Sequence, residues 1–152
     1  MFEYFKKIVA NDTIDPKEKR TGDKKLQVAT CALFFEMAKA DDVFTDEEKS
    51  IIRNIMKDKF YLNDDEIDEL FLQAEESIKK SVSIYEFATL IDKGFSREEK
   101  FELMKNLWRI IYTDDVLDKY EDNLIKRIGD ILKLEHKDVI DAKLIIKQEL
   151  NL

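Results

Sequence analysis

One cysteine, one histidine, one proline and three glycines are all that a chain of 152 residues holds of these four types, and each shortage removes a class of structure or chemistry. A lone Cys31 allows no internal disulfide, and within "ATCALFF" it reads as a small core side chain. His136, in "KLEHKD", has no serine or cysteine pattern beside it, which leaves a surface or capping role rather than a nucleophile's base. Gly22, Gly94 and Gly129 stand far apart, so there is no glycine-rich phosphate loop. So little glycine and proline leaves scant material for hairpin or sandwich turns and favours an all-helical chain. Positive charge is also short. With 26 Lys and Arg against 34 Asp and Glu, the formal net charge is −8, which argues against unaided binding to nucleic acid or anionic lipid. No apolar run approaches the ~18–20 residues of a membrane span and no signal peptide is visible, so a cytoplasmic location is expected.

What the chain does hold is material for one helical domain. Its hydrophobic fraction of 44% includes ten Phe, and its charged fraction of 39% suits helices with solvated outer faces. Residues 1–10, "MFEYFKKIVA", place Phe2, Phe5, Ile8 and Val9 around Lys6 and Lys7. They read as a short helix docking on the body, with weak contact to a membrane surface as the other reading. Residues 11–22, "NDTIDPKEKRTG", carry the only proline among charges and read as a linker. The expected division is therefore 1–22 as N-terminal helix and linker, and 23–152 as a single helical domain.

From residue 23 onward apolar residues recur at spacings of three and four. The stripes run through Leu26, Thr30, Leu33, Phe34 and Met37; Ile51, Ile52, Ile55 and Met56; Ile67, Leu70, Phe71, Ala74 and Ile78; and Ile84, Phe87, Ala88 and Ile91. They continue through Phe101, Met104, Leu107, Trp108 and Ile111; Leu124, Ile125, Ile128 and Leu132; and Val139, Ala142, Ile146 and Leu150. Start signals of one kind precede them: Thr45…Glu48, Asn63…Glu66, Ser83…Glu86, Ser96…Glu99 and Asp118…Glu121. Each pairs a capping side chain with a Glu three residues on that reaches back to the cap. Gly94 is expected to close a helix in the left-handed conformation. Short connections imply antiparallel neighbours in a bundle of about seven to eight helices.

The chain also repeats itself. "KADDVFTDEEKSIIRNI" at 39–55 returns as "YTDDVLDKYEDNLIKRI" at 112–128. At an offset of 73, Asp41 aligns with Asp114, Asp42 with Asp115, Glu48 with Glu121 and Ile52 with Ile125; after a one-residue gap, Leu62 faces Leu134. A duplicated helix–acidic corner–helix unit is expected to pack about a pseudo-twofold axis, with 63–80 and 83–93 crossing between the halves. Acidic residues at a helix C-terminus are disfavoured by ~0.3–1 kcal/mol each. Two readings follow. The aspartates cap local backbone, as they commonly do in turns, or a cation offsets them, with Glu48 and Glu121 turned towards the same ion. The candidate metal ligands are Asp41, Asp42, Glu48, Asp114, Asp115 and Glu121, an oxygen set that favours Mg²⁺, Ca²⁺ or Mn²⁺ over Zn²⁺. The spacing is not that of an EF-hand.

"ALFFEMAKADDVFTDEEKSII", "FSREEKFELMKNLWRIIYTDDVLDKYEDNLIKRI" and "AKLII" resemble the tellurite-resistance TerB-like family, specifically its small bacterial branch, over about residues 26–146. The resemblance implies an all-α fold from a duplicated unit, an association with tellurite resistance and stress responses, and relatives at the front of a membrane-anchored DnaJ-type co-chaperone. It also implies metal ligation by an Ala-Asp-Gly-x-x-x-x-x-Glu pattern. On this chain Asp41 and Asp114 match the family Asp, and Glu48 and Glu121 its Glu. Asp42 and Asp115 stand where the family has Gly. The leading expectation is a non-catalytic module binding a divalent cation and signalling to a protein partner. A metal-independent protein-interaction or co-chaperone-type adaptor is the alternative. A metal-dependent hydrolase ranks last, because no cleft with further polar groups is legible.

Overall fold

The structure, a computed structural model, describes residues 24–39, 44–80, 83–113 and 119–152, with the side chains of 119–121 excepted. Among them run seven helices and no strand: α1 (Lys24–Ala38), α2 (Asp46–Phe60), α3 (Asp64–Lys79), α4 (Ile84–Gly94), α5 (Arg97–Tyr112), α6 (Lys119–Ile131) and α7 (His136–Glu149). The expected all-α bundle is observed. The expected N-terminal helix, the expected linker and the expected cap at Asp118 lie outside the described residues.

Helix α1 is the centre of the bundle. Between Leu26 and Ala38 its only charged residue is Glu36, and eleven of its fifteen residues are buried. It packs against α2, α3, α4 and α5 at once, so an apolar surface on every side is what its position demands. Phe35, beyond the single stripe expected for this helix, meets Phe44 and Phe71 edge to face at 5.1 and 4.9 Å. Trp108 is buried as expected, and its Nε1–H donates to the Val139 carbonyl at 3.1 Å, tying α5 to α7.

The start signals work as their chemistry requires. Thr45, Asn63, Ser83 and Ser96 each accept the N–H of the Glu three residues on. At α2, α3 and α5 that Glu closes the box by accepting the cap's own N–H. A further start, at α7, has Glu135 N–H donating to Asp138 Oδ2 at 3.2 Å.

The helix ends differ from expectation. Gly94 is simply the last residue of α4. Phe95 follows in extended conformation, donates its N–H to Ile91 O at 2.8 Å and sinks its ring into the core, so no left-handed turn is needed. The left-handed positions belong to Tyr61 (φ 55°), Lys133 (φ 60°) and Asn151 (φ 59°). Each is followed by a leucine whose N–H bonds a carbonyl five residues back: Leu62 to Lys57, Leu134 to Gly129 and Leu152 to Lys147. Those bonds, and at Leu62 and Leu134 the burial of the leucine, offset a left-handed cost of roughly 1–2 kcal/mol. Leu150, expected on the last stripe, is exposed, because α7 ends beside it.

Helix α3, expected as a crossover, packs on α1 and α2 just as α7 packs on α5 and α6. Tyr61–Leu62 and Lys133–Leu134 lead into these two helices through the same turn. Only α4 lies outside this correspondence, touching α1 and α6.

Candidate functional site

The two acidic corners follow the C-terminal ends of α1 and α5. Asp41, Asp42, Asp114 and Asp115 lie outside the described residues, as does the side chain of Glu121. Glu48 is described. It stands in the first turn of α2, 1% exposed, where Oε1 accepts from Thr45 N–H at 3.1 Å and from Thr45 Oγ1–H at 3.0 Å. Its own N–H donates to Thr45 Oγ1 at 3.1 Å. One of its two carboxylate oxygens is thus committed to starting the helix. Among the described residues no group of three or more His, Cys, Asp and Glu side chains converges as a metal site would.

The last turns of the helices that lead into the corners carry little compensating charge of their own, and Lys39, directly after α1, has its Nζ 5.7 Å from the centroid of the Phe44 ring. The last turn of α1 holds no basic residue. The last turn of α5 holds Arg109, and its guanidinium is engaged by Glu149 of α7, with Nε and Nη2 each donating to the carboxylate at 2.8 Å. This pairing raises the Arg109 pKa and holds the Glu149 carboxyl below its usual range. Neither helix end therefore offers a free cation in its last turn to the aspartates that follow it.

A second feature escaped the sequence reading. A groove of about 1200 Å³ runs between α2, α5 and α7. Ile51 and Ile55 of α2, Phe101 of α5 and Leu134 ahead of α7 give it an apolar floor. Its three lining cations are all engaged by lining carboxylates: Lys59 by Glu99, Arg97 by Asp138 and Arg109 by Glu149. Burial raises the Glu99 pKa, but the Lys59 and Ser96 hydrogen bonds outweigh it and hold the carboxyl below its usual value. The one signal in the sequence for this groove is a run of charges flanking core positions, such as Asp58 beside Met56 and Phe60, or Asp141 between Val139 and Ala142. Nothing local tells such charges from a solvated helix face, since the groove exists only once three helices meet.

Outside the groove lining, Asp92 accepts from Lys100 at 2.6 Å and pairs with Lys133 at 3.4 Å, with only 12% of its side chain exposed. Burial raises its pKa, and the two lysines overcome that to hold the carboxyl low. The site is a structural clasp in which one carboxylate holds two lysines from different parts of the chain. No helix of the described residues is long and apolar enough to cross a membrane.

Searches of curated proteins and of solved structures returned no significant match. The family profile described as tellurite resistance protein TerB matches residues 27–144. That span runs from the first turn of α1 into the second half of α7 and takes in both acidic corners, so the chain belongs to the TerB family of tellurite resistance proteins.

Proposed function

We propose that this chain is a non-catalytic TerB module of the cytoplasmic stress response that binds a divalent cation at its two acidic corners. The observation that carries the reading is the state of the two helix ends. Helix α1 ends without a basic residue in its last turn, and α5 ends with its Arg109 engaged by Glu149. Asp41 and Asp42 follow α1 after Lys39 and Ala40, and Asp114 and Asp115 follow α5 after Thr113, where the partial negative charge of a helix end disfavours them and one lysine is set against two pairs of aspartates. A hard cation supplies the compensation, and carboxylate oxygens are the donors it takes. Glu48 enters the set with Oε1 already held by Thr45, and Glu121 is its counterpart.

A second reading has its own support. Glu48 is buried within a complete capping box, which is what a metal-independent adaptor with purely structural corners requires. Calorimetric titration of the chelator-stripped full chain separates the two. Mg²⁺, Ca²⁺ or Mn²⁺ is expected to release or absorb heat and to raise the melting temperature. Saturation to 100 times Kd adds about 2.7 kcal/mol. Asp41→Asn with Asp114→Asn should abolish both responses. If no cation changes either signal and Asp114→Asn melts like the parent, the adaptor reading stands in place of this one.

A further inference from the structure

The groove between α2, α5 and α7 carries a pattern of charge that the fold itself does not use. Each of its cations is paired with a lining carboxylate, and Glu102 pairs with Lys105 at 2.7 Å. Among the described residues, three lining carboxylates form no ion pair or hydrogen bond: Asp58 on α2, Glu98 on α5 and Asp141 on α7. One stands on each helix that bounds the groove, around the floor of Ile55, Phe101 and Leu134.

We infer that this groove is a docking site for a basic amphipathic helix of a partner protein. The floor takes the apolar stripe of such a helix, and Asp58, Glu98 and Asp141 face lysines or arginines on its flanks. The shape favours a helix over an extended segment. All three walls are helices whose backbone groups are already bonded internally, so an extended chain finds no strand edge to pair with, whereas a helix satisfies its own backbone. A helix about 10 Å across advances 5.4 Å per turn, so about 1200 Å³ holds roughly two to three turns. The unmatched negative charge steers a cationic partner in and rejects an acidic one.

The probe is a fluorescein-labelled helical peptide of about fourteen residues, with leucines on one stripe and lysines on both flanks, titrated against the full chain by fluorescence anisotropy. Binding is expected to weaken as salt rises. It should fall at least tenfold in the Asp58→Asn, Glu98→Gln, Asp141→Asn triple variant. It should also be lost when the peptide's leucines become serine or its lysines become glutamate. A control triple, Glu47→Gln, Asp65→Asn, Asp130→Asn, removes the same charge outside the groove and should leave the affinity within twofold. Equal losses in the two triples would reduce the effect to net charge and overturn the proposal, as would an absence of binding. A tenfold gain in affinity on Phe2→Ser with Phe5→Ser would overturn it too, because the chain's own N-terminal segment would then be the occupant. So would a sedimentation coefficient that rises with concentration in the parent and not in the groove triple, which would assign the groove to a second copy. The test needs no cation and does not depend on the corners.

Discussion

Cys31 shows how far a single residue can be read from its neighbours. Set in "ATCALFF", it belongs to a helix with no polar side to turn outward, and its thiol has no exposed surface. Burial, with a smaller contribution from the Glu75 carboxylate, pushes the thiol far above its ordinary value. Since the thiolate is the reactive form, Cys31 should not react with Ellman's reagent at pH 8 in the native protein. One equivalent should react promptly once urea unfolds the chain, and a native half-time of minutes would contradict this burial. Trp108 was equally legible as a core residue. Its bond to the Val139 carbonyl was not, because that acceptor lies 31 residues away on a helix whose position only packing decides.

Among the elements, starts were readable and ends were not. A cap and a Glu three residues apart act within one turn, so Thr45, Asn63 and Ser96 reveal their helices without reference to the rest of the molecule. An end depends on where the next residue is drawn. Phe95 is pulled into the core and Gly94 never turns left-handed, while Tyr61 and Lys133 do so because the following leucines are buried. Gly129 is another case that only packing explains. Lying within α6, it costs helix stability relative to Ala by about 1 kcal/mol, yet a Cβ there would stand 2.8 Å from Val139 Cγ2. Val139 is β-branched and cannot easily swing aside. Gly129→Ala is therefore expected to destabilise by about 1–3 kcal/mol through overpacking, despite the gain in propensity. Urea denaturation measures it, and adding Val139→Ala should narrow the loss that Gly129→Ala causes. A Gly129→Ala protein more stable than the parent would show that α6 and α7 do not approach this closely.

At the scale of the whole molecule, ion pairs link helices the core has already brought together. Lys59–Glu99 joins α2 to α5, Arg109–Glu149 joins α5 to α7, and Asp92 joins α4 to Lys100 and Lys133. The carboxyls of Asp92, Glu99 and Glu149 are all held below their usual values in the folded state. The unfolded chain therefore binds more protons in acid. The stability these groups contribute is complete at neutral pH, begins to fall as pH drops past the unfolded values near ~4, and is lost through the lower folded ones. The melting temperature should be flat from neutral pH to about 5 and fall below about 4. Asp92→Asn should cost about 1–2 kcal/mol at pH 7 by weakening charged hydrogen bonds, and should make the acid decline shallower. An unchanged acid slope in that variant would mean the clasp contributes nothing.

The all-helical class, the helix starts, most of the core stripes and the TerB resemblance were determined by the sequence alone. Each rests on spacing within a turn or two, or on a motif contiguous in the chain. The corners were legible too, as six carboxylates in two matching places, because a repeat is itself a sequence property. Tertiary structure decided that α1 is central, that α3 pairs with α1 and α2 as α7 does with α5 and α6, and that Arg109 is engaged by Glu149 rather than left to its helix end. It also decided that Asp58, Glu98 and Asp141 share one groove. Those are relations between different helices, and local periodicity is blind to them because it records which face of a helix is apolar and not which helix that face will meet.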